Sequence, residues 1–436
     1  MLIEFSAANY RCFRDRVTLS MEAEPRISER DKTVDTRNIA ETPEGRLLRV
    51  VGVYGANASG KSNLLGAVRT LRTIVLDSAR QGQAGDPLPV DPFRLEPDTR
   101  RAPSELEIVF SHDGVQFRYG LAATRARVER EWLLTWTADG EDEHLCFERN
   151  GDAYRVGPGW QRDPSIEHKT RAEALHLSVA AAFNHPQAIE VLRWFRRLRL
   201  INSATDTPDR GSRTADLVGD ERYEDSIREL IRRLDFGIDD FRVIQPDPAF
   251  IRSMVQRMYP RGDMTSAVTE KFLESADRRF VALRDGVEFD LHQDESAGTI
   301  KAFDLAGPLV LALAHGDMVM IDEFDARLHT LLAKQLVELF QDPRTNPHNA
   351  QLVFTSHDTN LLTRTLLRRD QLWFVEKSRK NHASELYSLA ELRLEDGKGV
   401  RNDARYEQDY LQGKYGAIPF FGALGTALAE ISERVD

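Results

Sequence analysis

Gly55-Ala-Asn-Ala-Ser-Gly-Lys-Ser62 contains two glycines separated by four residues and followed directly by Lys and Ser. This is the phosphate-loop pattern. An apolar, β-branched run, Leu47–Tyr54, precedes it and predicts a buried strand, and apolar residues at helical spacing follow it from Asn63 to Leu71. In this context of strand, glycine loop and helix, the loop N–H groups and the helix N-terminus point at phosphate oxygens. The sequence therefore predicts a binding site for a nucleoside triphosphate.

The residues of this loop have separate expected roles. The ammonium group of Lys61 is expected to contact the β- and γ-phosphates, and the hydroxyl of Ser62 suits Mg²⁺. We therefore expect ATP as the nucleotide and Mg²⁺ as its metal ion. The loop residues expected to bind the nucleotide are Gly55, Asn57, Ala58, Ser59, Gly60, Lys61, Ser62 and Asn63.

Composition narrows the class of protein. The 436 residues suggest two or three structural units, and the net charge of −11 argues against a nucleic-acid coat protein, which needs positive potential. Arginines crowd residues 125–130 and 193–199, where we expect solvated faces or pairing with acids. Two cysteines form neither a disulfide framework nor a zinc cluster. The longest apolar stretch, Leu305–Ala314, is too short to span a bilayer, and no signal core opens the sequence. We expect a cytoplasmic protein without membrane association.

Hydrophobic periodicity divides the chain into three expected parts, with an α/β fold overall. Residues 1–165 are expected to form an N-terminal lobe with the phosphate loop and an antiparallel β region, although residues 22–46 suggest only loop. Residues 166–278 are expected to be a helical insertion. Residues 279–436 are expected to form a C-terminal lobe, in which helices and apolar strands alternate as in a parallel sheet.

Two apolar strands of this lobe end in polar residues. Met318–Glu323 ends in two carboxylates, which the carboxyl end of a parallel strand would place at the ligand crevice. Asp322 is expected to hold Mg²⁺, and Glu323 to orient and deprotonate the attacking water; the alternative is a cap for the next helix. Gln351–His357 ends in a lone histidine. His357 is expected to contact the γ-phosphate, with a structural histidine as the alternative.

A third segment, Glu295-Ser-Ala-Gly-Thr-Ile-Lys301, precedes the acidic strand. Ser296 and Gly298 stand just ahead of an apolar helical run, and the N-terminus of such a helix binds anions. A simple helix cap explains Ser296 equally well. The segment matters because it lies between the phosphate loop and the acidic strand in the sequence.

The order of these parts resembles the ATP-binding-cassette (ABC) class of ATPases. Ser296–Gly298 resembles the signature loop of that class, although this chain has Ser-Ala-Gly-Thr where Ser-Gly-Gly-Gln is commoner. Asp325–His329 lies where the class has its D-loop. Gln81 and Gln83 are candidates for the Q-loop residue, and neither has a convincing context. The resemblance implies an ABC-type P-loop ATPase fold with a mixed or parallel core sheet, an antiparallel β-subdomain and a helical insertion.

The same resemblance implies an assembly. In this class two subunits sandwich two ATP molecules, with the phosphate loop of one facing the signature loop of the other. Carried over here, Ser296 and Gly298 would complete the partner's site, and ATP would clamp a homodimer or higher homo-oligomer. Arg11 matches the position where the repair branch of the class has an arginine near the nucleotide.

A narrower resemblance covers nearly the whole chain. It is to the bacterial AAA15-type ATPases, relatives of the overcoming-lysogenization-defect and abortive-infection ATPases, many of which resemble components of phage-defence operons with a separate nuclease or RNA-targeting effector. The blocks that carry it are Ile3–Phe13, Glu295–Thr299, Ile321–His329, Arg368–Lys377 and Tyr410–Pro419. It implies an ATPase that acts as a sensor or regulator of a separate nuclease or toxin effector.

Four alternatives to this function remain. The first is a DNA-repair or chromosome-maintenance ATPase that acts on DNA, although no segment sustains heptads. The second is the ATPase half of a transporter. The third is an ATPase fused to a metal-dependent nuclease, for which Leu372-Trp-Phe-Val-Glu376 could be the first strand, without a following Asp-x-Asp. The fourth is a nucleotide-gated scaffold with negligible hydrolysis.

Overall fold

The computed structural model describes residues 1–25, 32–80, 85–136, 142–202, 214–234, 237–244, 253, 279–394, 397–401 and 403–419. The strands in these ranges are β1 (Leu2–Ala8), β2 (Val17–Ser20), β3 (Ile39–Thr42), β4 (Gly45–Leu48), β5 (Val50–Tyr54), β6 (Ser104–His112), β7 (Val115–Ala123), β8 (Val128–Trp136), β9 (Glu143–Asn150), β10 (Ala153–Val156), β11 (Arg199–Asn202), β12 (Asp240–Ile244), β13 (Arg279–Arg284), β14 (Val287–Asp290), β15 (Met318–Asp322), β16 (Gln351–Thr355), β17 (Leu372–Lys377) and β18 (Ser384–Ser388). The helices are α1 (Lys32–Asn38), α2 (Lys61–Asp77), α3 (Pro164–Lys169), α4 (His176–Ala182), α5 (Pro186–Arg197), α6 (Thr214–Leu217), α7 (Glu224–Arg233), α8 (Ala297–His315), α9 (Thr330–Gln341) and α10 (Tyr406–Leu411).

A six-stranded sheet carries the phosphate loop. Its order is β11-β15-β16-β5-β17-β18, with β18 antiparallel to its neighbour and the other pairs parallel. Every residue of β5, β15 and β16 is buried, as expected for parallel strands covered on both faces. The predicted alternation of helices and parallel strands in the C-terminal lobe is confirmed. Because β15, β16 and β5 are neighbours, their carboxyl ends lie side by side at one edge of the sheet.

A second, antiparallel sheet has the order β10-β9-β8-β7-β6-β1-β2. The predicted antiparallel β region is present, and β6 and β7 form a hairpin in which His112 pairs with Val115 across the turn. The inner face of this sheet packs with helices α2, α4 and α5 in one continuous hydrophobic core, in which Phe110 stacks on Trp194. The phosphate-loop helix α2 therefore joins the two sheets.

A smaller layer contains the sheet β12-β13-β14 and helices α6, α7 and α8. Ile227 and Ile231 of α7 are buried in this layer, and β13 and β14 form a hairpin. Phe303 on α8 packs against Phe280 and Phe241. This layer thus packs on the helix that the signature-like segment opens.

Two secondary-structure expectations are wrong. Residues 22–46, expected to be loop, contain α1, β3 and the start of β4, and α1 is held by a buried ion pair between Asp35 and Arg368. The helical part that begins at residue 166 also contains strand β11, which pairs in parallel with β15. In both places tertiary contacts override weak local propensity. The boundaries 1–165, 166–278 and 279–436 remain predictions.

Three of the four arginines in residues 193–199 pair with acids. Arg193 pairs with Glu190, while Arg197 and Arg199 both bind the buried carboxylate of Asp317. Arg196 is exposed. Pairing and exposure thus both occur, as expected, and the pairs with Asp317 fix the end of α5 to the start of β15.

Helix α8 is longer than its apolar run suggests. Among the residues that the structure describes, it alone is long and apolar enough to cross a membrane by length and composition, and 61% of its apolar window is buried inside the molecule. Core helices meet the same two criteria, so this is weak evidence for a membrane span.

Strand β17 bears on the fused-nuclease alternative. Leu372–Lys377 pairs in parallel with β5, directly beside the strand that leads into the phosphate loop. The segment proposed as the first strand of a nuclease domain is therefore part of the nucleotide-binding sheet, which removes the sequence feature that favoured this alternative.

Candidate nucleotide-binding site

The phosphate loop connects the end of β5 to the first residue of α2. Gly55 and Gly60 have φ angles of +152° and +121°, a region that residues with a side chain rarely adopt. A Cβ atom at Gly55 would lie 2.4 Å from the Val375 carbonyl oxygen, and one at Gly60 would lie 2.5 Å from the Cys12 sulfur. Both the conformation and the close packing therefore require glycine at these two positions.

Neighbouring elements hold the outside of this loop. The hydroxyl of Ser384, the first residue of β18, donates to the Ser59 carbonyl at 2.5 Å, and the Ser384 amide donates to the Cys12 carbonyl at 2.8 Å. The Asn63 amide group donates to the Cys12 sulfur at 3.1 Å. The loop is therefore fixed from β18 and from the segment after β1, two regions far from it in sequence.

Lys61 lies within the loop, with 6% of its surface exposed. Its Nζ donates to the Gly55 carbonyl at 2.7 Å and to the Ala56 carbonyl at 3.1 Å, which uses two of the three ammonium hydrogens. Burial lowers the pKa of Lys61 to about 8, against the opposing effect of Asp322, Asp325 and Glu323. The predicted phosphate-binding cation thus lies in the field of the predicted acidic pair.

The two acids at the end of β15 share one partner. The Thr355 hydroxyl donates to Asp322 Oδ1 at 2.6 Å and accepts from the Glu323 backbone amide at 2.8 Å. Asp322 is buried, whereas Glu323 is half-buried and has a φ of +50°. Thr355 is not among the predicted site residues. Its signal is a hydroxyl at the last position of β16, two residues before His357.

His357 follows β16 and lies in the same charged group. Its backbone amide donates to the Asp325 carboxylate at 3.3 Å. Burial and the nearby Lys61 charge lower the pKa of His357, while Asp325, Glu323 and Asp322 oppose that shift. The imidazole is therefore neutral at pH 7, and one ring N–H is a donor for a phosphate oxygen. The sheet edge brings together Lys61, Asp322, Glu323 and His357.

The signature-like segment opens α8. Ser296 is the N-cap of this helix, and its hydroxyl accepts from the Thr299 amide at 3.2 Å, so the capping role left open by the sequence is observed. A Cβ atom at Gly298 would lie 2.6 Å from the Arg327 carbonyl, so glycine allows close contact with residues 325–329. The role of Ser296 and Gly298 toward a partner's nucleotide remains a prediction.

Lys301 connects the signature-like helix to the acidic strand and was missed by the sequence analysis. Its buried Nζ donates to the carbonyls of Glu323, Phe324 and Ala326 at 2.8, 2.9 and 2.7 Å, which satisfies all three ammonium hydrogens. Burial lowers its pKa to about 8. A displacement of α8 must therefore move the backbone that carries Glu323.

Arg11 lies beside the start of α2. Its guanidinium is 3.5 Å from the Asn63 side-chain oxygen and pairs with Asp91 at 3.4 Å. Arg11 therefore lies near the phosphate loop, as expected, but the positive charge of its guanidinium group is shared with Asp91. Both candidates for the Q-loop residue, Gln81 and Gln83, lie outside the described residues.

No curated protein matches. Among solved structures, similar folds are the SMC head domain from Thermotoga maritima (13% identity, TM-score 0.37, 89% of this chain and 98% of that chain), the Smc head domain bound to the C-terminal domain of ScpA from Pyrococcus furiosus (11%, 0.36, 89% and 96%) and the Smc head domain with a coiled coil and joint from Pyrococcus yayanosii (10%, 0.39, 89% and 96%).

The chain also matches a protein family over most of its length. Residues 50–363, more than two thirds of the chain, match the model of the AAA_21 family, described as "AAA domain, putative AbiEii toxin, Type IV TA system". The match runs from the first residue of β5 past His357, so it includes the phosphate loop, the signature-like segment and the Asp-Glu strand. The narrower AAA15-type assignment remains a prediction. The chain belongs to the AAA_21 family, and it has the α/β fold of a P-loop ATPase domain.

Proposed function

We propose that this chain binds Mg·ATP, hydrolyses ATP and dimerises around it, and that the ATP-bound dimer regulates a separate effector in a bacterial anti-phage system. The observation that carries the ATPase proposal is the adjacency of β15, β16 and β5. It brings the Lys61 ammonium group, the Asp322–Glu323 pair and the neutral His357 to one sheet edge. The defence role is supported by the narrower resemblance and by the family description, which names a "putative AbiEii toxin, Type IV TA system".

The expected chemistry follows from these groups. Lys61 and the first N–H groups of α2 stabilise the charge that develops on the transferred phosphoryl group. Glu323 accepts the proton of the attacking water, and His357 donates to a γ-phosphate oxygen. In this scheme Ser296 and Gly298 of a second copy complete the phosphate contacts.

The donor set suits Mg²⁺, a hard cation that prefers oxygen ligands. Ser62 in the first turn of α2 and the buried carboxylate of Asp322 would hold it, with Asp322 Oδ1 already oriented by Thr355. When bound, Mg²⁺ would neutralise charge on the phosphate oxygens of ATP.

A direct test is phosphate release from Mg·ATP by the purified chain, with Lys61→Ala as the inactive control. Release that depends on Lys61 supports the proposal. ATP binding without any phosphate release above that of Lys61→Ala would favour the scaffold alternative.

The defence role has its own test. Plaque formation by phages on cells that carry the gene and its neighbours should rise when Lys61 is replaced by alanine.

Thr355→Val tests the support of the acidic pair. Valine keeps the shape of threonine but removes the hydroxyl that binds both Asp322 and the Glu323 amide. We expect kcat for ATP hydrolysis to fall by about 10–100-fold, the usual effect of losing an orienting partner of a metal ligand. The matched control, Thr355→Ser, retains the hydroxyl and should retain most of the activity. A valine variant as active as the serine variant would contradict this role.

The low pKa of Lys61 predicts a pH dependence of ATP binding. Without nucleotide, burial keeps this pKa at about 8, and a bound triphosphate beside the ammonium group raises it. Since the protonated lysine binds better, affinity is full below pH 8 and falls as the pH rises through 8. We expect an affinity about tenfold lower at pH 9 than at pH 7, measured by calorimetric titration with ATP.

The matched control for this titration is Lys61→Arg, because arginine stays charged throughout this range. Changes in the charge of ATP itself affect both proteins equally, so the difference between them isolates Lys61. The same pH dependence in both proteins would show that Lys61 is not the titrating group.

A further inference from the structure

A cluster of three possible metal ligands lies outside the nucleotide site. His112 is the last residue of β6, Asp113 follows it in the hairpin turn, and Glu190 is on α5. The His112 Nε2 atom lies 3.9 Å from Asp113 Oδ2 and 3.9 Å from Glu190 Oε2. One ligand atom from each residue thus falls within 4.8 Å of the other two.

The buried ring nitrogen Nε2 of His112 is left unsatisfied within the described residues. Its side chain is 7% exposed, and its Nε2 has no hydrogen-bond partner within the described residues. A buried polar atom left in this way costs free energy, and natural proteins rarely keep one without a ligand or a water. This ring nitrogen is directed toward two carboxylates at a distance too long for a hydrogen bond and suited to an intervening atom.

The two carboxylates are also suitably arranged. Glu190 pairs through Oε1 with Arg193, which leaves Oε2 on the side of His112. Asp113 is 77% exposed, so its side chain is free to move by the few tenths of an ångström that shared coordination requires. A cleft of about 380 Å³ lined by His112 and Asp113 gives solvent access.

We propose that His112, Asp113 and Glu190 bind a divalent transition-metal ion such as Zn²⁺. Zinc binds imidazole nitrogen and carboxylate oxygen at about 2.0–2.2 Å, so in tetrahedral coordination its ligand atoms lie about 3.3–3.6 Å apart. The two 3.9 Å separations at His112 Nε2 exceed this by a few tenths of an ångström, which a small movement of the two carboxylates closes. Three protein ligands leave a fourth position for water.

The ion would connect the tip of the β6–β7 hairpin to α5. Helix α5 in turn contacts the phosphate-loop helix, where Arg72 donates to the Phe195 carbonyl at 3.0 Å. Arg72 lies eleven residues after Lys61 in α2, or about 16 Å along the helix axis at 1.5 Å per residue. The metal site is therefore distinct from the proposed Mg²⁺ position and would stabilise the junction between the antiparallel sheet and α2.

The test is calorimetric titration of the chelator-treated full chain with ZnCl₂ in the absence of nucleotide. We expect the unaltered chain to bind one equivalent of Zn²⁺ at this site. Asp113→Asn and Glu190→Gln should each lower the affinity for this equivalent by at least about tenfold. Asp113 has a φ of +51°, a conformation that asparagine also favours, so this variant keeps the turn. The matched control is His168→Gln, which removes an exposed histidine on α3 and should leave this equivalent unchanged.

Co²⁺ provides a second readout that a purely structural role would not change. Co²⁺ bound by one imidazole and two carboxylates in four- or five-coordinate geometry absorbs visible light, and this absorption should disappear in Asp113→Asn. Equal Zn²⁺ affinity and stoichiometry in the unaltered chain, Asp113→Asn and Glu190→Gln would overturn the proposal. Thermal unfolding of each variant without metal confirms that it is folded.

Discussion

Replacing Lys61 with alanine should remove ATP hydrolysis and weaken ATP binding more than any other single change in the loop. The ammonium group lies inside the loop and is the cation placed to contact the phosphates. Loss of a charge-assisted hydrogen bond costs about 2–3 kcal/mol, which corresponds to about 30–150-fold in affinity. Loss of transition-state stabilisation should lower turnover by a further factor of about 10²–10³. Calorimetric titration and phosphate release measure the two effects.

Lys61→Arg is the control for charge alone. Arginine keeps a cation at this position but does not fit the geometry formed by the Gly55 and Ala56 carbonyls, so affinity should recover more than turnover. Hydrolysis by Lys61→Ala at the rate of the unaltered chain would mean that the phosphate loop is not the catalytic site.

Replacing Glu323 with glutamine should separate binding from hydrolysis. The amide keeps the size of the side chain but cannot accept the proton of the attacking water. We expect turnover to fall by about 10²–10⁴-fold, while affinity for ATP stays within about threefold. Because ATP is then not consumed, the ATP-bound state should accumulate.

The backbone position of this side chain should survive the substitution. The Glu323 carbonyl accepts from Lys301 and its amide donates to Thr355, and neither bond involves the carboxylate. Asp325→Asn is a suitable comparison. Asp325 lies two residues after Glu323, its carboxylate accepts from the His357 amide, and it has no assigned role as base. Full hydrolysis by Glu323→Gln would reject Glu323 as the base.

The sequence predicts the parts of the site that are local. The phosphate loop, the strand before it and the Asp-Glu strand each follow from residues adjacent in the chain. The expected strand Leu47–Tyr54 is divided, with β5 covering Val50–Tyr54 and β4 ending at Leu48, while the other two parts are observed where expected. Their adjacency in the sheet follows from the alternation of helices and strands. The expected meeting of His357 with Lys61 depended on this topology.

Residues whose roles arise from contacts distant in sequence were not predicted. Thr355 has the sequence environment of any β-branched strand residue, and only the parallel register of β15 and β16 places its hydroxyl between Asp322 and Glu323. In the sequence, Lys301 has the environment of an ordinary helical lysine. Its role depends on three carbonyl partners that lie 22 to 25 residues away.

Strand β11 was missed for a related reason. Arg199–Asn202 is four residues long, and it follows the amphipathic helix α5 without a glycine or proline between them. Its strand conformation depends on pairing with β15 and on the ion pairs of Arg197 and Arg199 with Asp317. Local propensity carries little information about an element fixed in this way.

The proposed composite site is tested most directly by the solution mass of Glu323→Gln, determined by light scattering after gel filtration, with and without Mg·ATP. The chain has a mass of 49.6 kDa. We predict about this mass without nucleotide and about twice it with ATP. Adding Ser296→Arg should prevent the dimer, whereas Ser296→Ala, which loses only the helix cap at a cost of about 1 kcal/mol, should retain it. A single-chain mass for Glu323→Gln saturated with ATP would contradict the shared site.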